Sequence, residues 1–164
     1  MTNQPLTPDD LERYIAEHGI QAEMLRLPEE TPTVEEAARV LGCATSQVVK
    51  SLLFTVDAAP YLCIACGTEP VSRRKLAARL GVGRKRVKLA NAETVLNLTG
   101  YAVGTVPAFG HVGADALTVF VDPRVLEQND VYAGGGGIAA MVRIRADDLQ
   151  AHVQAEVLDL VDDA

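Results

Sequence analysis

From Val48 to Val56 the chain reads VVKSLLFTV, a run of β-branched and large apolar residues that predicts a strand. Strand side chains alternate between faces, so Val48, Lys50, Leu52 and Phe54 share one face and a lysine interrupts an apolar row. Ala58-Ala59-Pro60 reads as a turn and Tyr61 to Cys66 as a second strand, so the two predict a hairpin. Further strands are predicted at Ala22 to Leu27, Arg86 to Leu89, Leu117 to Val121, Val131-Tyr132 and Ala139 to Ile144.

Helical spacing of Leu11, Tyr14, Ile15 and His18 behind Thr7-Pro8-Asp9 predicts a first helix over Pro8 to Glu17. Thr33-Val34-Glu35-Glu36 has the capping-box pattern and opens a helix through Ala37, Ala38 and Leu41 that stops at Gly42. Ser72 caps a helix from Arg73 to Leu80 that Gly81 closes. Shorter helices are predicted at Ala92 to Leu98 and from Asp122-Pro123 to Glu127, and a closing helix at Asp147 to Leu158. Strands and short helices interleave without a regular βαβα rhythm, which predicts an α+β fold on a mixed sheet.

The 164 residues, 48% apolar and 23% charged, are one domain's worth of globular material, expected to span residues 1–164. No run reaches the roughly 18 apolar residues that cross a bilayer, and no signal peptide is visible at the N-terminus, so no membrane partner and a cytoplasmic location are expected. Three cysteines fit a reducing compartment. Cys63 and Cys66 form a C-x-x-C, but on a strand they point to opposite faces, where small buried core residues are expected rather than a redox pair or a metal site. No second cysteine pair stands at zinc-ligand spacing, and neither a metal nor a cofactor is expected.

A net charge of −7 argues against indiscriminate nucleic-acid binding. Eight of the fifteen basic residues nevertheless fall between Arg73 and Lys88, with no acidic residue from Pro70 to Ala92. Arg73, Arg74, Lys75, Arg84, Lys85, Arg86 and Lys88 are candidates to hold one polyanion in one orientation; a solvated helix face followed by a basic turn is the alternative.

Three stretches can carry chemistry. Lys50 either lays its stem on apolar surface with its ammonium in water, or lines a pocket. Thr99 to His111, TGYAVGTVPAFGH, has too many glycines for a sheet interior; glycines let backbone N–H groups approach a carbonyl or phosphate oxygen, and a tight structural turn is the alternative. His111 is either a general base or a capping group. Gly134 to Gly137 lacks a following phosphate-binding helix and reads as a flexible turn or pocket rim. Neither nucleotide fingerprint, G-x-x-x-x-G-K-[ST] or G-x-G-x-x-G, is present, nor is a G-x-S-x-G elbow.

The succession QVVKSLLF, PVSRRKLAARLG, RVKLAN, LTGYAVGTVPAFGH and TVFVDPRVLEQNDVYAGGGG resembles the YbaK/EbsC family, related to the editing domain of bacterial prolyl-tRNA synthetases. The resemblance runs from about Ile20 to Leu149 and is most specific at the V-x-K-[ST]-L-L strand and the TGY-x-x-G loop. It implies a mixed, barrel-like sheet flanked by helices, and a free-standing deacylase that hydrolyses the ester of mischarged aminoacyl-tRNA. The implied substrate is tRNA for proline carrying a small amino acid such as cysteine or alanine. The family's pocket lysine carries over to Lys50, beside the tRNA's terminal adenosine, and its loop to Gly104 through Gly110. The expected catalytic residues are then Lys50, Gly104, Thr105, Val106 and Pro107. Leu52, Phe54, Ala108, Phe109, Gly110, His111, Gly135 and Gly136 are expected to bind substrate. The implied partners are the aminoacyl-tRNA acceptor end and, behind it, an aminoacyl-tRNA synthetase. A non-catalytic module on the same fold, binding a tRNA end or a protein, is the alternative.

Overall fold

The computed structural model describes residues 4–162. Its strands form two sheets. The five-stranded sheet has the order β4 (Val87–Leu89), β2 (Val49–Val56), β3 (Ala59–Cys66), β5 (Thr118–Val121), β8 (Glu156–Val157). It is mixed: β2 pairs antiparallel with β4 and with β3, while β5 pairs parallel with β3 and with β8. The three-stranded antiparallel sheet has the order β1 (Ala22–Arg26), β7 (Ala140–Arg145), β6 (Asp130–Gly134). Among the described residues a single bridge, Val48 to Tyr132, links the sheets, so the strands form two sheets rather than one closed ladder. Among the described residues six helices flank them: α1 (Pro8–Glu17), α2 (Val34–Leu41), α3 (Arg73–Leu80), α4 (Ala92–Thr99), α5 (Pro123–Leu126) and α6 (Ala146–Val153).

The alternation along β2 explains why both faces of the larger sheet are covered. Val49 and Leu53 join Leu62, Ile64, Val131 and Ile144 in a core between the sheets. Phe54 and Val56 face the other way, onto Leu76 of α3, Val87, Phe120 and Leu160. A third, small cluster seats α2 through Ala37 and Ala38 on Val48 and Met141. The helix ends use the chemistry the sequence spells out. Thr33, Ser72 and Asn91 side chains accept from the backbone three residues on, and Gly42, Gly81 and Gly100 take left-handed conformations at the C-termini.

Two expectations shift. The hairpin turn is Asp57-Ala58, both residues at positive φ, and not Ala58-Ala59-Pro60. A two-residue turn of that hand matches the strand twist, and Pro60 enters β3 just before β5 begins to pair at Tyr61. The closing helix ends at Val153 instead of reaching Leu158. Gln154 turns left-handed, the Gln150 amide bonds both backbone groups of Ala155, and the chain goes on as β8. That path takes Leu160 and Val161 under the larger sheet, where they are almost wholly buried.

Candidate active site

Lys50 sits in β2 opposite Ala65, half-buried. Its ammonium donates to the backbone carbonyl of Glu69 at 2.5 Å, and among the described residues no carboxylate lies within ion-pairing distance. Burial holds its pKa below the usual lysine range, opposed by the nearby Cys66, Glu69 and Glu35.

Lys50, Ser51 and Leu52 form one wall of a cavity of about 270 Å³. Gly104 and Val106 form the facing loop, Thr31 to Val34 and Ala37 another side, and Val48, Val49, Gly134 and Met141 the rest. The N–H groups of Gly104 and Val106 donate to no atom of the described residues. Unpaired backbone donors are uncommon in a protein interior, where Val106 lies at 9% exposure, while Gly104 is exposed. The Ser51 hydroxyl is likewise buried without a partner. Apart from Lys50 no titratable side chain lines the cavity.

Local packing fixes the loop. Gly104 has φ +87°, a conformation open to glycine, and a Cβ built on it meets nothing within 4 Å. Both the hydroxyl and the N–H of Thr105 donate to Ala102 O, at 2.8 and 3.0 Å, and its carbonyl accepts from Gly136 N–H at 3.0 Å. Gly134 lies so close to the loop that a Cβ would stand 2.4 Å from Val106 O. The four-glycine turn is thus a backbone-to-backbone clasp on Thr105 and Val106.

The expected residues divide into groups. Lys50, Leu52, Gly104 and Val106 line the cavity together. Thr105 and Pro107 support the loop, the Pro107 carbonyl accepting from His111 Nε2 at 2.7 Å. Phe54 is buried on the α3 side of the sheet. Ala108, Phe109, Gly110 and His111 line a different cavity, with no lining residue in common with the first. Gly135 packs against Ala140 and Gly136 against Tyr101, and neither lines the Lys50 cavity. The sequence assigns no role to Ser51 or to the Thr31–Ala37 wall, while Gly134, expected in a turn or pocket rim, does line the cavity. Ser51 had a signal, its place after the lysine in the strand motif.

The basic run is partly neutralised. Arg74 pairs with Asp162 at 3.0 Å, Lys75 with Asp159 at 2.8 Å, and Arg86 with Asp57. Arg79 is held at 2.5 and 2.7 Å by the two carboxylate oxygens of Glu156. Arg73, Arg84, Lys85 and Lys88 have no partner among the described residues. Lys85, Arg86 and Lys88 line a groove beside the β2–β3 turn. Cys63 and Cys66 face different cores, and burial pushes their thiols up to about 12 and about 11, so neither supplies a thiolate.

This fold, with a lysine and a glycine loop on one cavity, is that of an editing domain. The chain belongs to the aminoacyl-tRNA editing domain family, which it matches over residues 28–152. It is 36% identical over 102 residues, 62% of the chain, to a proline–tRNA ligase of Maridesulfovibrio salexigens, and 35% identical over 121 residues, 71% of the chain, to that of Bacillus licheniformis. These matches cover 17% and 20% of the ligases' own lengths. A solved structure described as a candidate trans-editing enzyme for prolyl tRNA synthetase superposes with a TM-score of 0.86 at 30% identity, over 95% of this chain and 97% of that one. No helix among the described residues is long and apolar enough to cross a membrane.

Proposed function

We propose that the protein hydrolyses the ester of mischarged aminoacyl-tRNA, its substrate being tRNA for proline carrying a small amino acid such as alanine or cysteine. One observation carries this reading: Gly104 and Val106, whose N–H groups donate to no atom of the described residues, line the same cavity as Lys50. The two N–H groups bind the ester carbonyl and stabilise the negative charge that develops on its oxygen. Lys50 meets a phosphate or a ribose hydroxyl of the terminal adenosine, which fixes the ester against the loop. With no titratable side chain other than Lys50 on the cavity, the attacking oxygen belongs to water or to the substrate itself, and positioning supplies the acceleration.

The apolar wall of Val34, Ala37, Val48 and Met141 suits a short, uncharged side chain. A pocket separates side chains by only ~1–3 kcal/mol per methylene, so a second sieve of this size is useful to a synthetase that admits small amino acids. Free cations at Arg73, Arg84, Lys85 and Lys88 are available to the tRNA backbone, and a synthetase is the partner that would supply the tRNA. The test is deacylation of a panel of mischarged tRNAs. Turnover of alanyl- or cysteinyl-tRNA for proline, lost in Lys50→Ala, supports the reading. Binding of the tRNA without turnover of any panel member would make the protein a tRNA-end-binding module instead.

A further inference from the structure

The loop has a second side. Behind it lies a cavity of about 210 Å³ whose walls include Tyr14, Phe109, His111, Leu117, Val119 and His152. An apolar cavity of roughly 150 Å³ accepts a benzene ring, so this one has room for a single ring with polar substituents. Its wall is aromatic, and the rings pack on one another: Phe109 meets His152 edge-on at 5.4 Å, and Tyr14 stacks near Phe109 at 5.9 Å and on His18 at 3.9 Å.

The two histidines offer complementary hydrogen-bonding groups. The Pro107 carbonyl can only accept, so His111 carries its proton on Nε2 and its Nδ1 is a bare acceptor. The Tyr14 hydroxyl lies 2.8 Å from His152 Nε2, and in the tautomer that accepts there the His152 proton is on Nδ1. Neither Nδ1 has a partner among the described residues. Burial lowers both imidazole pKa values, and for His152 so does nearby His18, which keeps both rings neutral at pH 7. No lysine or arginine lines the cavity, so a phosphate would find no counter-charge there.

We propose that this cavity is a second ligand site, for one neutral heteroaromatic ring with adjacent donor and acceptor edges: a pyrimidine base or nucleoside. The occupant touches the loop that carries Gly104 and Val106, because His111 is anchored to Pro107 within it.

The chain has three histidines, so its imidazole C–H spectrum is simple enough to read directly. Titration with uridine at pH 7.5 should move the His111 and His152 signals saturably, with a dissociation constant on the order of a millimolar. Uridine monophosphate should bind no more tightly than uridine. Ala114 is exposed at the rim, and Ala114→Phe, which fills the cavity, should weaken uridine binding by about tenfold or more. If that variant does not fold, Val153→Phe fills the cavity from α6. Absent or unsaturable shifts overturn the proposal, as does undiminished binding in the folded filling variant. A monophosphate that binds about tenfold more tightly than uridine would also overturn it, by moving the ligand to a cationic surface. The readout is binding and not turnover, so it is independent of the deacylase reading.

Discussion

The Lys50 ammonium rests on the backbone carbonyl of Glu69 at 2.5 Å, with no carboxylate of the described residues within ion-pairing distance. A carbonyl orients the side chain through its dipole but does not cancel its charge. The cation is therefore aimed and still un-neutralised, at some desolvation cost that appears as its lowered pKa. A group held in that way is suited to receive an anion, which a structural salt bridge would not be.

The clasp between Gly134 and Val106 predicts a sharp response to one methyl group. Gly134→Ala puts a carbon 2.4 Å from a backbone oxygen, so the loop or the end of β6 must move. We expect a loss of about 1–3 kcal/mol in stability from the overpacking, with a fall in turnover as the loop shifts. Chemical denaturation and a deacylation assay measure the two effects. A fully stable, fully active variant would show that the close approach is not needed.

Gly104 responds differently. A Cβ there meets no atom, so the cost of Gly104→Ala is the left-handed backbone alone, about 1–2 kcal/mol. Gly104→Val adds bulk at the loop that faces Lys50 and should impair turnover more than Lys88→Ala does. Equal activity in those two variants would remove the loop from the carbonyl site.

The basic run separates into paired and free cations, and the two sets should behave differently. Replacing Arg84, Lys85 and Lys88 together by alanine should raise KM and flatten the salt dependence of tRNA binding by about 0.7–0.9 log units per lost phosphate contact. Replacing Arg74 and Lys75, held by Asp162 and Asp159, should alter thermal stability and leave the salt slope nearly unchanged. Binding measured across a salt series distinguishes them. A slope that responds to the second pair and not to the first would mean that the C-terminal ion pairs open when tRNA docks.

Stability should fall on mild acidification. Burial lowers the folded-state pKa of His111 and His152 below the unfolded value of 6.5, so below about pH 6.5 the unfolded chain binds more protons and gains relative to the folded one. The loss begins as pH drops through 6.5 and levels off once the folded-state values are passed. His111→Gln, which keeps a donor for Pro107 O, should reduce the slope between pH 7 and 5. A variant with an unchanged slope would assign the effect to other groups.

The elements were legible because their signals are local. Thr7, Thr33, Ser72 and Asn91 sit where the caps form, and Gly42, Gly81 and Gly100 stand where the helices stop. Lys50 and Gly104 were legible as a pair through family resemblance; neither residue alone says that they meet. What the sequence hid depends on the third dimension. Val106 and Ala108 are two positions apart yet line different cavities, because the loop has two sides. Nothing in GGGG says that it packs on Thr105 and Val106, nor that Arg74 and Lys75 are neutralised by residues more than eighty positions away. The last strand was missed because its two residues, following the left-handed Gln154 that stops α6, carry too little pattern to compete with a helix reading.

The most direct test is single-turnover hydrolysis of alanyl- and cysteinyl-tRNA for proline by the wild-type protein and by Lys50→Ala, with folding checked by circular dichroism. The wild type should clear at least one of these esters well above the uncatalysed rate. The variant should fold and lose about a hundredfold or more, as expected when a charged group that positions the transition state is removed. A folded Lys50→Ala protein with near wild-type turnover would contradict the account, because the half-buried cation would then be a packing feature and the chemistry would lie elsewhere.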